Sequence, residues 1–289
     1  MIGQRSIVMH AIVWFVIGVF FAAVGAGFLG ALVGLGGGIL IVPLLTIGFG
    51  LDIRLAIGAS IVSVIATSSG AAAAYVRDHL TNVRVGMLLE LATSIGAVTG
   101  AFVAAYLNAR LLFLLFGVLL LVSIVPMVRK LGEEVPVGVV NDAIATRLNL
   151  ASTYPDRAQG QEVAYQVTHV PVGFAMMYVA GIVSGLLGIG SGALKVLAMD
   201  TAMRLPVKVS SATSNFMIGV TAAASAGVYF WRGDILPLVA APVALGVLVG
   251  ATGGAKVLTR FRNATVRVVF LIALAVVSVE MLLRGFGVV

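Results

Sequence analysis

The sequence predicts an all-α polytopic membrane protein. It is built from two inverted-topology repeats, each with a glycine-broken lead-in and half-helix pair followed by three full spans. Three observations carry this prediction. Hydrophobic residues make up 61% of the chain and charged residues 10%, against roughly 45–50% and about 25% in soluble domains. Two glycine-rich breaks, GLGGG at residues 34–38 and GIGSG at 188–192, interrupt apolar stretches and copy each other. The Lys and Arg residues, finally, divide unequally between the two sides of a membrane only if one copy is turned over.

The elements follow in order. Residues 11–33 form an apolar lead-in helix ahead of the first break. Glycine costs a helix about 1 kcal/mol per site relative to alanine, so four glycines in five positions end it. Ile39 to Phe49, with Pro43, is a half-helix: eleven residues reach only about 16 Å of a hydrocarbon core about 30 Å thick. Residues 55–76, 85–107 and 110–128 are full spans, separated by a loop holding Arg77, Asp78, His79 and Arg84 and by a turn at Asn108 and Arg110. The second unit repeats the order, with a lead-in at 172–187, a half-helix at 193–203, and spans at 207–231, 236–258 and 265–283. Gly96 and Gly100, and Gly246, Gly250 and Gly254, give small-xxx-small faces that let helices approach closely. The three parts of the chain are thus a first transmembrane repeat (1–128), a polar central cytoplasmic loop (129–169) and a second repeat (170–289). In the central loop Val163, Tyr165 and Val167 alternate with polar residues and TYPDRAQG is rich in turn formers, which suits a small β-hairpin or a plain linker. The N-terminal segment resembles a signal peptide, but its internal copy lies in mid-chain, so we expect it to be retained.

The breaks lie 154 residues apart, 188 less 34. Without a gap, that offset places Arg54 on Lys208, Ser60 on Ser214, Tyr75 on Tyr229, Gly96 on Gly250 and Gly100 on Gly254. With four crossings per unit the copies are parallel and the eighteen Lys and Arg split nine to nine. If each lead-in and half-helix instead return to the side they started from, the copies are inverted and the split is thirteen to five. Only the second arrangement obeys the positive-inside rule. It puts both termini outside and the central loop in the cytoplasm.

Several functions are excluded. The net charge of +7 belongs to cytoplasmic loops rather than to nucleic-acid binding. With no cysteine there is no disulfide or thiol chemistry. His10, His79 and His169 fall near segment ends and form no paired-histidine metal motif. Neither break matches a P-loop or a Rossmann glycine spacing, so no cofactor and no ATP-driven pump is expected. A membrane-embedded enzyme is disfavoured by the absence of clustered carboxylates. The partners expected are the lipid bilayer, a small anion, and a proton or sodium coupling ion.

A broken backbone at membrane depth is tolerated only where its N–H and C=O groups meet protein, water or ligand. Inverted copies bring two such breaks together near the midplane, the pattern of a transport site, in a secondary anion transporter or, as the alternative, an anion channel of similar build or a transporter of another small anion. The half-helix starts, around Gly38 to Ile41 and Gly192 to Lys195, present N–H groups and a positive dipole end, which favour an anion. Candidate binding residues are Gly36, Gly37, Gly38, Ser60, Gly190, Ser191, Gly192, Lys195, Thr213, Ser214 and Asn215. The SSATSN run at 210–215 serves either an anion or helix–helix hydrogen bonds, with Ser210 and Ser211 at the helix start. Lys195 either lies on the pathway or snorkels to the cytoplasmic face, since a lysine at a span's centre costs roughly 2.5–3.5 kcal/mol. Glu90 and Glu280 could relay a proton. Glu280 is better read as paired with Arg284 one turn on, and Glu90, near its segment end, as interfacial.

GALVGLGGGILIVPLLT with the following AIGASI, then GLLGIGSG and SSATSNFMIG in the second copy, resembles the sulfite exporter TauE/SafE family. The resemblance covers both units. It implies a secondary transporter of small sulfur-containing anions, such as sulfite or organosulfonates, in the bacterial inner membrane. By matching motif, it also implies an anion site at Gly36, Gly37, Gly38, Ser60, Gly190, Ser191, Gly192, Thr213, Ser214 and Asn215. Ser191 stands where a glycine is usual, Leu197 where Pro43 predicts proline, and Lys195 is unexpected.

Overall fold

A computed structural model describes residues 2–33, 38–77, 79–128, 138–156, 161–257 and 263–288. Residues 34–37, and with them Gly36 and Gly37, lie outside the described residues. The first unit comprises α1 (Ile2–Val33), α2 (Gly38–Pro43), α3 (Ile53–Arg77), α4 (Val83–Tyr106) and α5 (Ala109–Val128). The central segment holds α6 (Ala143–Arg147) and the strands β1 (Ser152–Asp156) and β2 (Gln161–Tyr165). The second unit comprises α7 (Val170–Leu187), α8 (Gly192–Leu197), α9 (Val207–Trp231), α10 (Pro237–Val257) and α11 (Asn263–Phe286).

The chain is mostly helical, and among the described residues four stretches are long and apolar enough to cross a membrane: Met9–Gly30, Val83–Tyr106, Val170–Leu187 and Pro237–Gly254. The half-helices share a detail that the sequence did not announce. Each begins as α-helix and widens into one π-type turn, at Leu44–Gly48 and at Ala198–Ala202. These turns are again 154 residues apart.

Contacts repeat under the same exchange. Helices α1 and α10 pack together, as do α4 and α7, and so do the counterpart helices α3 with α9 and α5 with α11. A Cβ at Gly27 would lie 2.4 Å from Val247 O, and one at its counterpart Gly181 would lie 2.3 Å from Thr93 O, the counterpart of Val247. A Cβ at Gly96 would likewise lie 2.2 Å from Tyr178 O, and one at Gly250 2.0 Å from Val24 O. Lipid tails are as apolar as leucine, so helices in a bilayer gain by close van der Waals fit. Glycine permits that fit where a side chain would strike the facing backbone.

Direction can be read from these contacts. Gly246 meets Phe20 and Gly250 meets Val24, so α1 and α10 run parallel. Gly117 meets Leu282 while Gly285 meets Leu114, so α5 and α11 run antiparallel. In the same way Gly58, near the start of α3, meets Asp234, just beyond the end of α9.

Between the two alternatives for the central segment, the structure has a hairpin: β1 pairs antiparallel with β2, Ser152 opposite Tyr165 and Asp156 opposite Gln161. It is anchored, not suspended. Asn82 Nδ2 donates to Leu150 O and to Tyr165 Oη, both at 2.8 Å. Asp142 accepts from Ala145 N at 2.7 Å and from Val170 N at 2.8 Å, capping α6 and tying the segment to the start of α7. Burial pushes the Tyr165 phenol up, while its hydrogen bonds with Asn82 and Ser152 pull it down. At the other end of the helical layer Arg54 donates to Leu107 O at 2.8 Å, and Arg232 pairs with Asp234 at 2.9 Å.

Candidate functional site

The second break is defined by three residues in the left-handed region: Gly188 at φ 66°, Gly190 at φ 72° and Ser191 at φ 45°. The two glycines adopt it freely. Ser191 carries a cost of order 1–2 kcal/mol for a side chain there, offset by its hydroxyl, which donates to Ala180 O at 2.7 Å. Ser191 O then accepts from Lys195 N at 3.1 Å and closes the first turn of α8. Gly190 is hemmed in as well, since a Cβ there would lie 2.7 Å from Ile218 Cγ2. Gly190→Ala is therefore expected to destabilise the protein by about 1–3 kcal/mol through strain and overpacking, read as a lower melting temperature in detergent.

Ser60 joins the two units at their breaks. Its hydroxyl is shared between Gly38 O at 3.0 Å and Gly188 O at 2.9 Å. One turn further along α3, Val64 touches the positions of both Gly38 and Gly190. The counterpart bond is present too, as Ser214 Oγ donates to Gly192 O at 3.1 Å. Of the candidate residues, then, Gly38, Ser60, Gly190, Gly192 and Ser214 lie together around the breaks, with Ser191 shaping the second. Thr213 is engaged elsewhere, accepting from Asn82 N at 3.0 Å on the side of the central segment. The Asn215 amide bonds back to Ser211 O at 3.0 Å within its own helix.

Lys195 does not snorkel. Its side chain is fully buried, and Nζ donates to Thr221 Oγ1 at 2.5 Å. Thr221 donates to Glu90 Oε1 at 2.8 Å, and Ser94 reaches the same oxygen at 2.8 Å. Thr93 Oγ1 stands 3.4 Å from Thr221 Oγ1. The other carboxylate oxygen, Glu90 Oε2, is buried with no hydrogen-bond partner among the described residues. The interfacial reading of Glu90 is thereby corrected. It lies seven residues inside α4 and is 8% exposed, turned inward rather than toward the membrane surface. The ion pair expected of Glu280 and Arg284 is present at 3.2 Å.

Sequence reasoning missed Thr221 altogether. A signal existed, because the repeat offset places Thr221 on Thr67, a hydroxyl kept in both copies. The same offset places Lys195 on Ile41 and Glu90 on Ala244, so the charged cluster, which spans both units, has no counterpart under the repeat exchange. A groove of about 600 Å³ lined by Ile47, Ala275, Val276, Val277, Val279 and Glu280 lies apart from these residues.

The model of the sulfite exporter TauE/SafE family matches residues 19–281. This chain belongs to that family. It is 27% identical over 267 residues to the Probable membrane transporter protein YunE of Bacillus subtilis (strain 168), covering 90% of this chain and 94% of that one. It is 27% identical over 232 residues to the Probable membrane transporter protein YdhB of the same organism, covering 80% and 83%. No solved structure matches. The chain is thus an integral membrane protein of a transporter family, not of an enzyme family.

Proposed function

We propose that this chain is a secondary transporter that moves small sulfur-containing anions, of the sulfite and organosulfonate class, across the bacterial inner membrane. The two units act as inverted-topology repeats that alternate access around the paired breaks. The observation that carries this reading is the sharing of the Ser60 hydroxyl between Gly38 O and Gly188 O. It supports a single locus where both breaks meet, and a backbone irregularity at membrane depth is tolerated where it is buried in protein or lines a cavity such as a transport site. The antiparallel packing of the counterpart helices α5 and α11 supports inversion, since parallel copies would set them side by side in the same direction. Membership of a sulfite exporter family supports the substrate class.

An incoming oxyanion accepts hydrogen bonds from the Ser60 and Ser214 hydroxyls in place of the backbone carbonyls that accept them here. A hydrogen bond to a charged group contributes about 1.5–3 kcal/mol. Ser60→Ala and Ser214→Ala are each expected to weaken binding of sulfite or an organosulfonate about tenfold or more, measured by calorimetry on purified protein. Unchanged affinity in both variants would remove the site from the breaks. For topology, we expect an impermeant thiol reagent added outside cells to label Ile2→Cys and to spare Thr153→Cys. Labelling of Thr153→Cys alone would reverse the arrangement.

A further inference from the structure

We propose that Glu90 takes up a proton when an anion reaches Lys195, so that one proton accompanies each anion. This rests on the anion reading above and goes beyond it by naming the coupling ion and its carrier. As built, the cluster is compensated, one buried ammonium linked to one buried carboxylate through the Thr221 hydroxyl. An anion drawn to Lys195 adds a negative charge to a site that already holds one. An uncompensated charge away from water is costly, and the group that can neutralise it is the carboxylate. Glu90 is suited to this because Oε2 is buried and has no partner among the described residues, which leaves a position for the proton.

The other titratable groups on α4 and the elements packed around the cluster are engaged or lie further along their helices: on α4 itself, Arg84 donates to Asn149 O at 2.8 Å. On α9, Lys208 lies 13 residues before Thr221, and the Tyr229 hydroxyl is engaged with Gly185 O and Leu186 O. On α7 the titratable side chain is Tyr178, which faces Thr99. The charge on α5 is Arg110 at its start, against Gly287. Asp200, on the π turn after α8, is half-buried and five residues beyond Lys195. Proton transfer is balanced simply: Glu90 Oε2 gains a proton from the aqueous phase as the anion enters and returns it when the anion leaves. By linkage, the proton raises anion affinity by the same factor that the anion raises proton affinity.

The test uses purified wild-type protein and methanesulfonate, an anion that carries no proton of its own near neutral pH. Calorimetry in buffers of different ionisation enthalpy counts the protons taken up, and infrared difference spectra detect a protonated carboxyl group. We expect about one proton per anion, affinity that falls about tenfold per pH unit once Glu90 is ionised, and a carboxylic-acid band on binding that Glu90→Gln abolishes. Labelling the wild type with isotope-substituted glutamate assigns the band to a glutamate rather than an aspartate, and Glu90→Asp, which keeps a carboxyl group but shifts its band, locates it where Glu90→Gln does not fold. Binding without proton uptake, or a band that survives in Glu90→Gln, overturns the proposal while leaving the anion reading intact. Failure of methanesulfonate and sulfite to bind at all overturns the anion reading itself, and this inference with it.

Discussion

Glu90→Ala is expected to destabilise the protein by about 3–5 kcal/mol, because it leaves the Lys195 ammonium buried with no counter-charge. The Lys195 side chain is fully buried and its ammonium donates to Thr221 Oγ1. The measurement is the unfolding of single and double variants in detergent. Adding Lys195→Met to Glu90→Ala is expected to restore most of the loss, since removing both charges of a buried pair is close to neutral whereas removing one is not. The double-mutant cycle should therefore return a coupling of several kcal/mol, above the range common for neighbouring residues. Additive effects would mean that the two charges are solvated separately.

Gly96→Val and Gly250→Val are expected to damage the packing severely, and equally so. A Cβ at Gly96 would lie 2.2 Å from Tyr178 O, and one at Gly250 would lie 2.0 Å from Val24 O. Both clashes are with backbone, which cannot swing aside as a flexible side chain can. The helix pairs α4 with α7 and α1 with α10 would have to separate, at a cost of about 3 kcal/mol or more. Loss of the monodisperse peak on size exclusion and a matched drop in melting temperature would show it. A severe effect at one position with none at the other would break the equivalence of the two units.

That equivalence was legible in the sequence because small and hydroxyl residues recur at a fixed offset, and the same offset reappears in three dimensions. Ser60 bonds Gly38 as Ser214 bonds Gly192, and the two half-helices widen into a π turn at matched positions. The broken half-helices were predictable from glycine's cost in a helix. The widening turn was not, because it depends on local hydrogen-bond choice that composition does not encode.

The candidate site was legible only in part. Residues on the break itself could be picked out by composition. Ser60 reaches across 128 residues to Gly188, and that cross-unit bond has no signature in a single sequence. Glu90 was misread for the same reason. Judged by its distance along α4 it belongs near an interface, yet its partner Thr221 arrives from the other unit, 131 residues later. Thr213, Ser214 and Asn215 were grouped at one site, whereas the helix sends Thr213 to Asn82, Ser214 to the break and the Asn215 amide back to Ser211. Neighbours in a helix point about 100° apart, so adjacency in sequence is poor evidence of a shared site.

The most direct test of the whole account is sulfite flux through protein reconstituted into liposomes. The account predicts saturable sulfite movement that follows an imposed ion gradient and is lost in the Ser60→Ala/Ser214→Ala double variant. Flux that is passive and indifferent to any gradient would make the protein a channel, and flux that survives loss of both serines would contradict a binding site at the converged breaks.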